Sequence, residues 1–171
     1  MINHSEIKCV GCTACAAICP HNVIAMKRNP EGFPYPVIEN IAACINCGLC
    51  EKACPVLNIK TESVFEQKGL IAQITDEQIR QESTSGGMFS AIALSVLMDG
   101  GIVYGAAYDQ NFQVCHIGVS KKEDLWKLRS SKYVQSNLCG VFREIHQYLG
   151  AGKKVCFSGT PCQVEGLQSY L

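Results

Sequence analysis

Cys9-Val-Gly-Cys12-Thr-Ala-Cys15-Ala-Ala-Ile-Cys19-Pro20 returns further along the chain as Cys44-Ile-Asn-Cys47-Gly-Leu-Cys50-Glu-Lys-Ala-Cys54-Pro55. Each cysteine of the first run, and its proline, has a counterpart 35 residues on. One offset shared by four cysteines and a proline marks an internal repeat. Within each copy the spacing is C-x2-C-x2-C-x3-C-P.

A 4Fe-4S cluster needs four thiolates around a compact cube, and this spacing is the one found in bacterial two-cluster ferredoxins. Two-residue gaps let three successive cysteines wrap one loop and point inward. The fourth sits on the helix that follows, faces away from that loop and ligates the other cluster. The expected sets are therefore crossed: Cys9, Cys12, Cys15 and Cys54 for the first cluster, and Cys44, Cys47, Cys50 and Cys19 for the second. Neither half should fold well alone. Pro20 and Pro55 turn the chain away after each short helix. Gly11, Ala14, Ala16, Ala17, Gly48 and Ala53 leave room for sulfide. Zinc is the competing metal, but structural zinc sites pair C-x2-C units across a longer gap. Disulfides belong to oxidising compartments, and the opening residues carry no secretory signal. A segment of about 60 residues is too small for an ordinary core, so the clusters act as its staples.

The chain has 171 residues, with 15 basic and 15 acidic side chains and no net charge. Bulk charge thus draws it neither to nucleic acid nor to anionic membrane. A hydrophobic content of 47% suits a globular protein. The longest apolar run, Met88 to Met98, is too short to span a bilayer and is broken by Asp99-Gly100-Gly101. These features predict a soluble, cytoplasmic protein without a membrane span.

The expected class is α+β or α/β. Residues 1–60 should form the two-cluster ferredoxin-like domain, 61–68 a linker, and 69–171 a second domain. Val23–Met26 and Val56–Ile59 read as short extended pieces after each Cys-Pro, Asn29–Pro36 as turn, and Pro36–Ile38 as another short strand. Gly69–Thr75 is apolar enough for a strand, and Asp76–Gln81 carries helix formers. Met88–Met98 is apolar nearly all round and reads as a buried helix. Ile102–Tyr108 and Gln113–Val119 read as an antiparallel hairpin. Ser120-Lys-Lys-Glu123 has capping-box spacing for a helix to Leu128. Cys139–Leu149 reads as an amphipathic helix and Lys153–Phe157 as a strand. Thr160, Pro161 and Gln163 open a last helix with a capping box and proline at its first position.

Two turns in this half invite anions. Thr84-Ser85-Gly86-Gly87 precedes the apolar helix, where glycines and a helix N-terminus favour phosphate; the other reading is that Ser85 caps the helix. Gly159-Thr160-Pro161-Cys162-Gln163 puts a cysteine in a first helical turn, where a thiolate is stabilised; the other reading is a capped helix with a buried cysteine. Arg129-Ser-Ser-Lys132-Tyr133 supplies two cations suited to a phosphate or an anionic flavin ring, or simply a solvated surface. Cys115, Cys139 and Cys156 lack ligand spacing and read as core. His116 reads as a half-exposed strand residue, His21 as a cluster neighbour or a surface residue, and Trp126 as packing for its helix.

Ser83-Thr-Ser-Gly-Gly-Met-Phe-Ser-Ala-Ile-Ala-Leu94, Ser131-Lys-Tyr-Val-Gln-Ser136 and Phe157-Ser-Gly-Thr-Pro-Cys-Gln163 resemble, in this order, the family of beta subunits of deazaflavin-dependent (coenzyme F420) hydrogenases and dehydrogenases. Many members carry an N-terminal two-cluster module, so the resemblance covers essentially the whole chain. It implies a partial α/β flavin-binding-type second domain and an FAD-containing iron–sulfur oxidoreductase. Ser85, Gly86, Gly87 and Lys132 would lie at the flavin, with Thr160 and Cys162 beside it and Cys162 a ligand of an additional cluster. Family members continue beyond Gly-Thr-Pro-Cys-Gln, whereas this sequence stops eight residues after Gln163, so a partial domain is expected. A flavin joins one-electron clusters to two-electron substrates. The leading function is thus a relay between clusters, FAD and a deazaflavin or other two-electron substrate, with a redox partner protein or larger complex. The alternatives are a non-catalytic electron carrier, a docking subunit, or a structural or regulatory cluster protein.

Overall fold

A computed structural model describes residues 8–59, 68–138 and 140–171. The linker expected at 61–68 lies outside these residues except for Lys68, and Cys139 lies outside them too. Among the described residues the fold is mixed α/β with small sheets, one of two strands and one of three. The chain divides into two compact units, and Gly159–Leu171 groups with the first rather than with the second half of the sequence.

In the first unit each cysteine loop leads into a short helix: α1, Ala14–Ile18, and α2, Leu49–Lys52. Strands β1, Ile24–Arg28, and β2, Pro34–Ile38, form an antiparallel hairpin between them, with Met26 opposite Pro36 and Arg28 opposite Pro34. Both strands are edges, so the prolines' missing N–H groups cost no ladder bond. The strand thus begins within the proline-rich stretch expected to be turn. Val56–Ile59 is not extended: Asn58 Nδ2 donates to the Glu51, Lys52 and Cys54 carbonyls, holding the chain in turns against the end of α2. The repeat is also visible in the backbone. Gly11 and Thr13 of the first loop, and Asn46 and Gly48 at the matching places of the second, all have positive φ. The last helix of the chain, Pro161–Tyr170, packs against α1.

The second unit opens with the helix α3, Glu77–Gln81, whose N-cap Asp76 accepts from Ile79 N at 3.0 Å. Residues 69–74 run without regular structure instead of as a strand; Leu70 and Ile71 are exposed and Ile74 N donates to the Gly86 carbonyl. Helix α4, Met88–Met98, has the expected limits but only one covered face. Ser90 and Ala93 are buried, while Ile92 and Met98 are exposed. The three-stranded sheet has the order β4-β3-β5, with β3, Ile102–Tyr108, antiparallel to β4, Val114–Val119, and parallel to β5, Val155–Phe157. Alternation along β3 sends Val103 and Ala107 into a core with Ala93, Leu125 and Leu128. Tyr104, on the other face, donates its hydroxyl to Glu144 of α5, Val141–Gly150.

Lys122–Leu128 is a 3-10 helix, not the α-helix expected, and Ser120 does not cap it. Three residues per turn put Leu125 and Leu128 on one line into the core. Trp126, between them, is consequently exposed rather than packed. The final helix, labelled α6, starts as expected: Pro161 is its first residue and the Gln163 side-chain carbonyl accepts from Thr160 N at 2.9 Å.

Candidate metal centres

The two loops and the hairpin enclose two cavities in the first unit. Cys9, Cys12, Cys15 and Cys54 line one, with Gly11, Thr13, Pro36 and Val56, around about 310 Å3 of non-protein space, open solvent included. Cys44, Cys47, Cys50 and Cys19 line the other, with Ile24, Ile38, Gly48 and Leu49, around about 440 Å3 on the same measure. Each cavity therefore takes three cysteines from one copy of the repeat and the fourth from the other. The crossing follows from the short helices. Cys19 closes α1 and Cys54 follows α2 by one residue, and each leaves its own loop for its neighbour's. The hairpin walls both cavities, through Pro36 and through Ile24 and Ile38.

The donor set fits an iron–sulfur group. The walls are apolar, and the cysteines supply the soft donors. Gly11 N, turned by its positive φ, lies 3.5 Å from Cys9 Sγ and donates to it. Burial pushes the Cys15 thiol up to about 12 and the Cys12 thiol up to about 11, with neighbouring cysteine charges adding to both. Several thiolates in one buried apolar pocket need a cationic centre to become charged, and metal binding supplies it. Among the described residues, no three His, Cys, Asp or Glu side chains are gathered as a site for a single metal ion. The cysteines stand around a space instead. The two cavities differ in access: Cys12, Cys15 and Cys54 are buried, whereas Cys47 is exposed beside exposed Ile45 and Leu49.

Of the other expected site residues, Ser85, Gly86, Gly87 and Lys132 belong to the second unit, and Thr160 and Cys162 to the first. Gly87, not Ser85, is the N-cap of α4, and Ser85 is exposed. A Cβ on Gly86 would come 2.6 Å from the Ala72 carbonyl oxygen, and one on Gly87 would come 2.7 Å from Ile74 Cγ2. These glycines thus seat the chain's own 72–74 segment. The Lys132 ammonium donates to the Arg129 carbonyl at 2.5 Å and the Lys127 carbonyl at 3.2 Å, and burial lowers its pKa. Arg129, rather than Lys132, reaches the first turn of α4, donating to Ser90 Oγ at 3.2 Å and pairing with Glu82. Gly86, Gly87 and Lys132 are thus engaged by the chain's own atoms, which does not fit a flavin held by these three residues. Thr160 and Cys162 belong to the first unit, with Thr160 Oγ1 and Cys162 Sγ 3.2 Å apart. Cys162 lies close enough to Cys12 for their charges to interact.

His116 is buried, not half-exposed. Its Nε2 lies 2.9 Å from the Ser158 carbonyl oxygen, so that nitrogen carries the proton and donates; Nδ1, 2.8 Å from Ser136 Oγ, accepts. Its ring stacks on Phe157 at 5.1 Å. Only the link between its motif partners, Ser136 and Ser158, would have hinted at this role. His21 is exposed at the second cavity.

Residues 8–58 match the family model of the 4Fe-4S dicluster domain, and residues 70–143 match that described as coenzyme F420 hydrogenase/dehydrogenase, beta subunit (N-term). One subunit of the F(420)H(2) dehydrogenase of Methanosarcina mazei is 26% identical over 165 residues, covering 91% of this chain and 46% of that protein. Both of these matches make the chain similar to the family of coenzyme F420 hydrogenase/dehydrogenase beta subunits. In the cluster-bearing part, one subunit of an NADH-quinone oxidoreductase of Geobacter metallireducens is 33% identical over 69 residues, 38% of this chain and 53% of the relative. An uncharacterized protein of Methanocaldococcus jannaschii is 25% identical over 194 aligned positions, 96% of this chain and 53% of the relative. The chain thus spans about half the length of the curated relatives it matches. None of its described helices is long and apolar enough to cross a membrane.

Proposed function

We propose that this chain is the iron–sulfur electron-transfer component of a larger oxidoreductase. Cys9, Cys12, Cys15 and Cys54 hold one 4Fe-4S cluster, and Cys44, Cys47, Cys50 and Cys19 hold the other. The observation that carries this reading is the pair of cavities, each with four cysteines drawn from both copies of the repeat. When bound, such clusters supply one-electron transfer. The chain's own contribution is to exclude water with Val56, Pro36, Ile24 and Ile38 and to donate Gly11 N–H to a cysteine sulfur. The open rim at Cys47, Ile45 and Leu49 is the side at which a redox partner meets the chain.

Names of relatives support the assembly. One is a subunit of an F420H2 dehydrogenase and another of an NADH-quinone oxidoreductase. By analogy, a reduced deazaflavin is the two-electron donor of the complex in which this chain serves. FAD lies outside this reading, because Gly86, Gly87 and Lys132 are engaged by the chain's own atoms; uptake of FAD on reconstitution would bring it back. Anaerobic purification of the full chain should give about eight iron atoms, electron paramagnetic resonance signals on dithionite reduction and their loss on reoxidation. Zinc in place of iron, or clusters that dithionite cannot reduce, would overturn the proposal.

A further inference from the structure

The dicluster cavities need only the first repeat-bearing segment, yet α6, from the far end of the sequence, packs against Cys12, which lines one of them. Its buried face is Gln163, Gly166 and Leu167, spaced as one side of a helix. A Cβ on Gly166 would come 2.8 Å from Cys12 Cβ, 3.0 Å from Cys12 Sγ and 3.2 Å from the Cys12 carbonyl oxygen. Helix interiors disfavour glycine, and Gly166 is not among the glycines with positive φ. Backbone conformation therefore does not call for glycine here; the approach to Cys12 does. The second cavity shows a contrasting state, with Cys47 exposed.

We propose that α6 covers the first cluster and that Gly166 is the positioning residue that lets it seat on Cys12. The proposal rests on the cluster assignment above. Water near a cluster stabilises its more negative reduced form, so solvent access is one of the quantities that set its potential. By covering Cys12, α6 keeps the first cluster the harder one to reduce and the slower one to be attacked from solvent.

The test uses the full chain, reconstituted anaerobically, with Gly166→Ala, Leu167→Ala and the exposed-position control Glu165→Ala. Redox titration by electron paramagnetic resonance follows both clusters, and ferricyanide bleaching followed by alkylation and peptide mapping identifies the exposed cysteines. Gly166→Ala should move one cluster's potential upward and leave the other in place. Bleaching of that cluster should accelerate several-fold, with labels on Cys9, Cys12, Cys15 and Cys54. Leu167→Ala loosens the same face without adding an atom near Cys12, so it decides the matter if Gly166→Ala fails to fold. Glu165→Ala should match wild type. Unmoved potentials and bleaching in a folded variant, or equal changes in both clusters, would overturn the cover. A wild-type chain without two reducible clusters would instead fail the cluster assignment.

Discussion

Replacing Cys54 by alanine tests the crossed geometry directly. Cys54 belongs by sequence to the second copy of the repeat but lines the cavity of the first, where it is buried with Cys12 and Cys15. One thiolate of four is removed, so iron should fall from about eight atoms per chain by between about one, if a three-iron remnant survives, and about four, if the cluster is lost. The location of the damage matters more than its size. Anaerobic alkylation with peptide mapping should label Cys9, Cys12 and Cys15, and leave Cys44, Cys47, Cys50 and Cys19 protected. Cys19→Ala should give the mirror pattern, exposing Cys44, Cys47 and Cys50. Labelling of Cys44, Cys47 and Cys50 in Cys54→Ala, with the first loop protected, would refute the crossing.

Further outcomes follow from single contacts. Phe142 is almost fully buried, edge-on to Phe157 at 6.1 Å, so Phe142→Ala should cost about 3–5 kcal/mol, read from the urea transition of Trp126 fluorescence, the chain's one tryptophan. Gly48 has a φ of +73, so Gly48→Ala should cost about 1 kcal/mol or more, seen as a lower temperature of iron release. Burial lowers the His116 pKa below the usual 6.5, a hydrogen bond to the Ser158 carbonyl opposing it in part. The unfolded chain then binds more protons below that value, so this contribution is complete above it and disappears as pH falls through the folded pKa. Urea midpoints compared at alkaline and mildly acidic pH should show the decline, and His116→Gln should flatten it.

Much of the fold was legible because the signals were local. The cysteine spacing, the β3–β4 hairpin, the limits of α4 and the start of α6 each depend on residues close in sequence. The failures share a cause: a partner distant in sequence, or a side chain doing the work of backbone. Val56–Ile59 looks extended until Asn58 turns back onto the carbonyls of Glu51, Lys52 and Cys54. Ser120–Glu123 has the spacing of a capping box, but the need to bury both Leu125 and Leu128 favours three residues per turn. Residues 69–74 have strand-like composition and no strand beside them; they serve as the bed for Gly86 and Gly87. His116 looks peripheral until β5 brings Phe157 and Ser158 over it. The placement of α6 was invisible for the same reason, since nothing near Gly166 in sequence announces Cys12.

The order in which the chain leaves the ribosome gives the α6 contact a further meaning. Cys9, Cys12 and Cys15 emerge first, and their cavity lacks a fourth cysteine until Cys54 has been made. For the whole interval in which the second unit is synthesised, the Cys12 side of that cavity stays open. The helix that packs on Cys12 is the last described element to appear. A cluster delivered during that interval meets Cys12 uncovered, and one delivered afterwards meets Cys12 with Gly166 packed on it. The covering of Cys12 is thereby set late in synthesis by nothing more than the position of Gly166 in the gene.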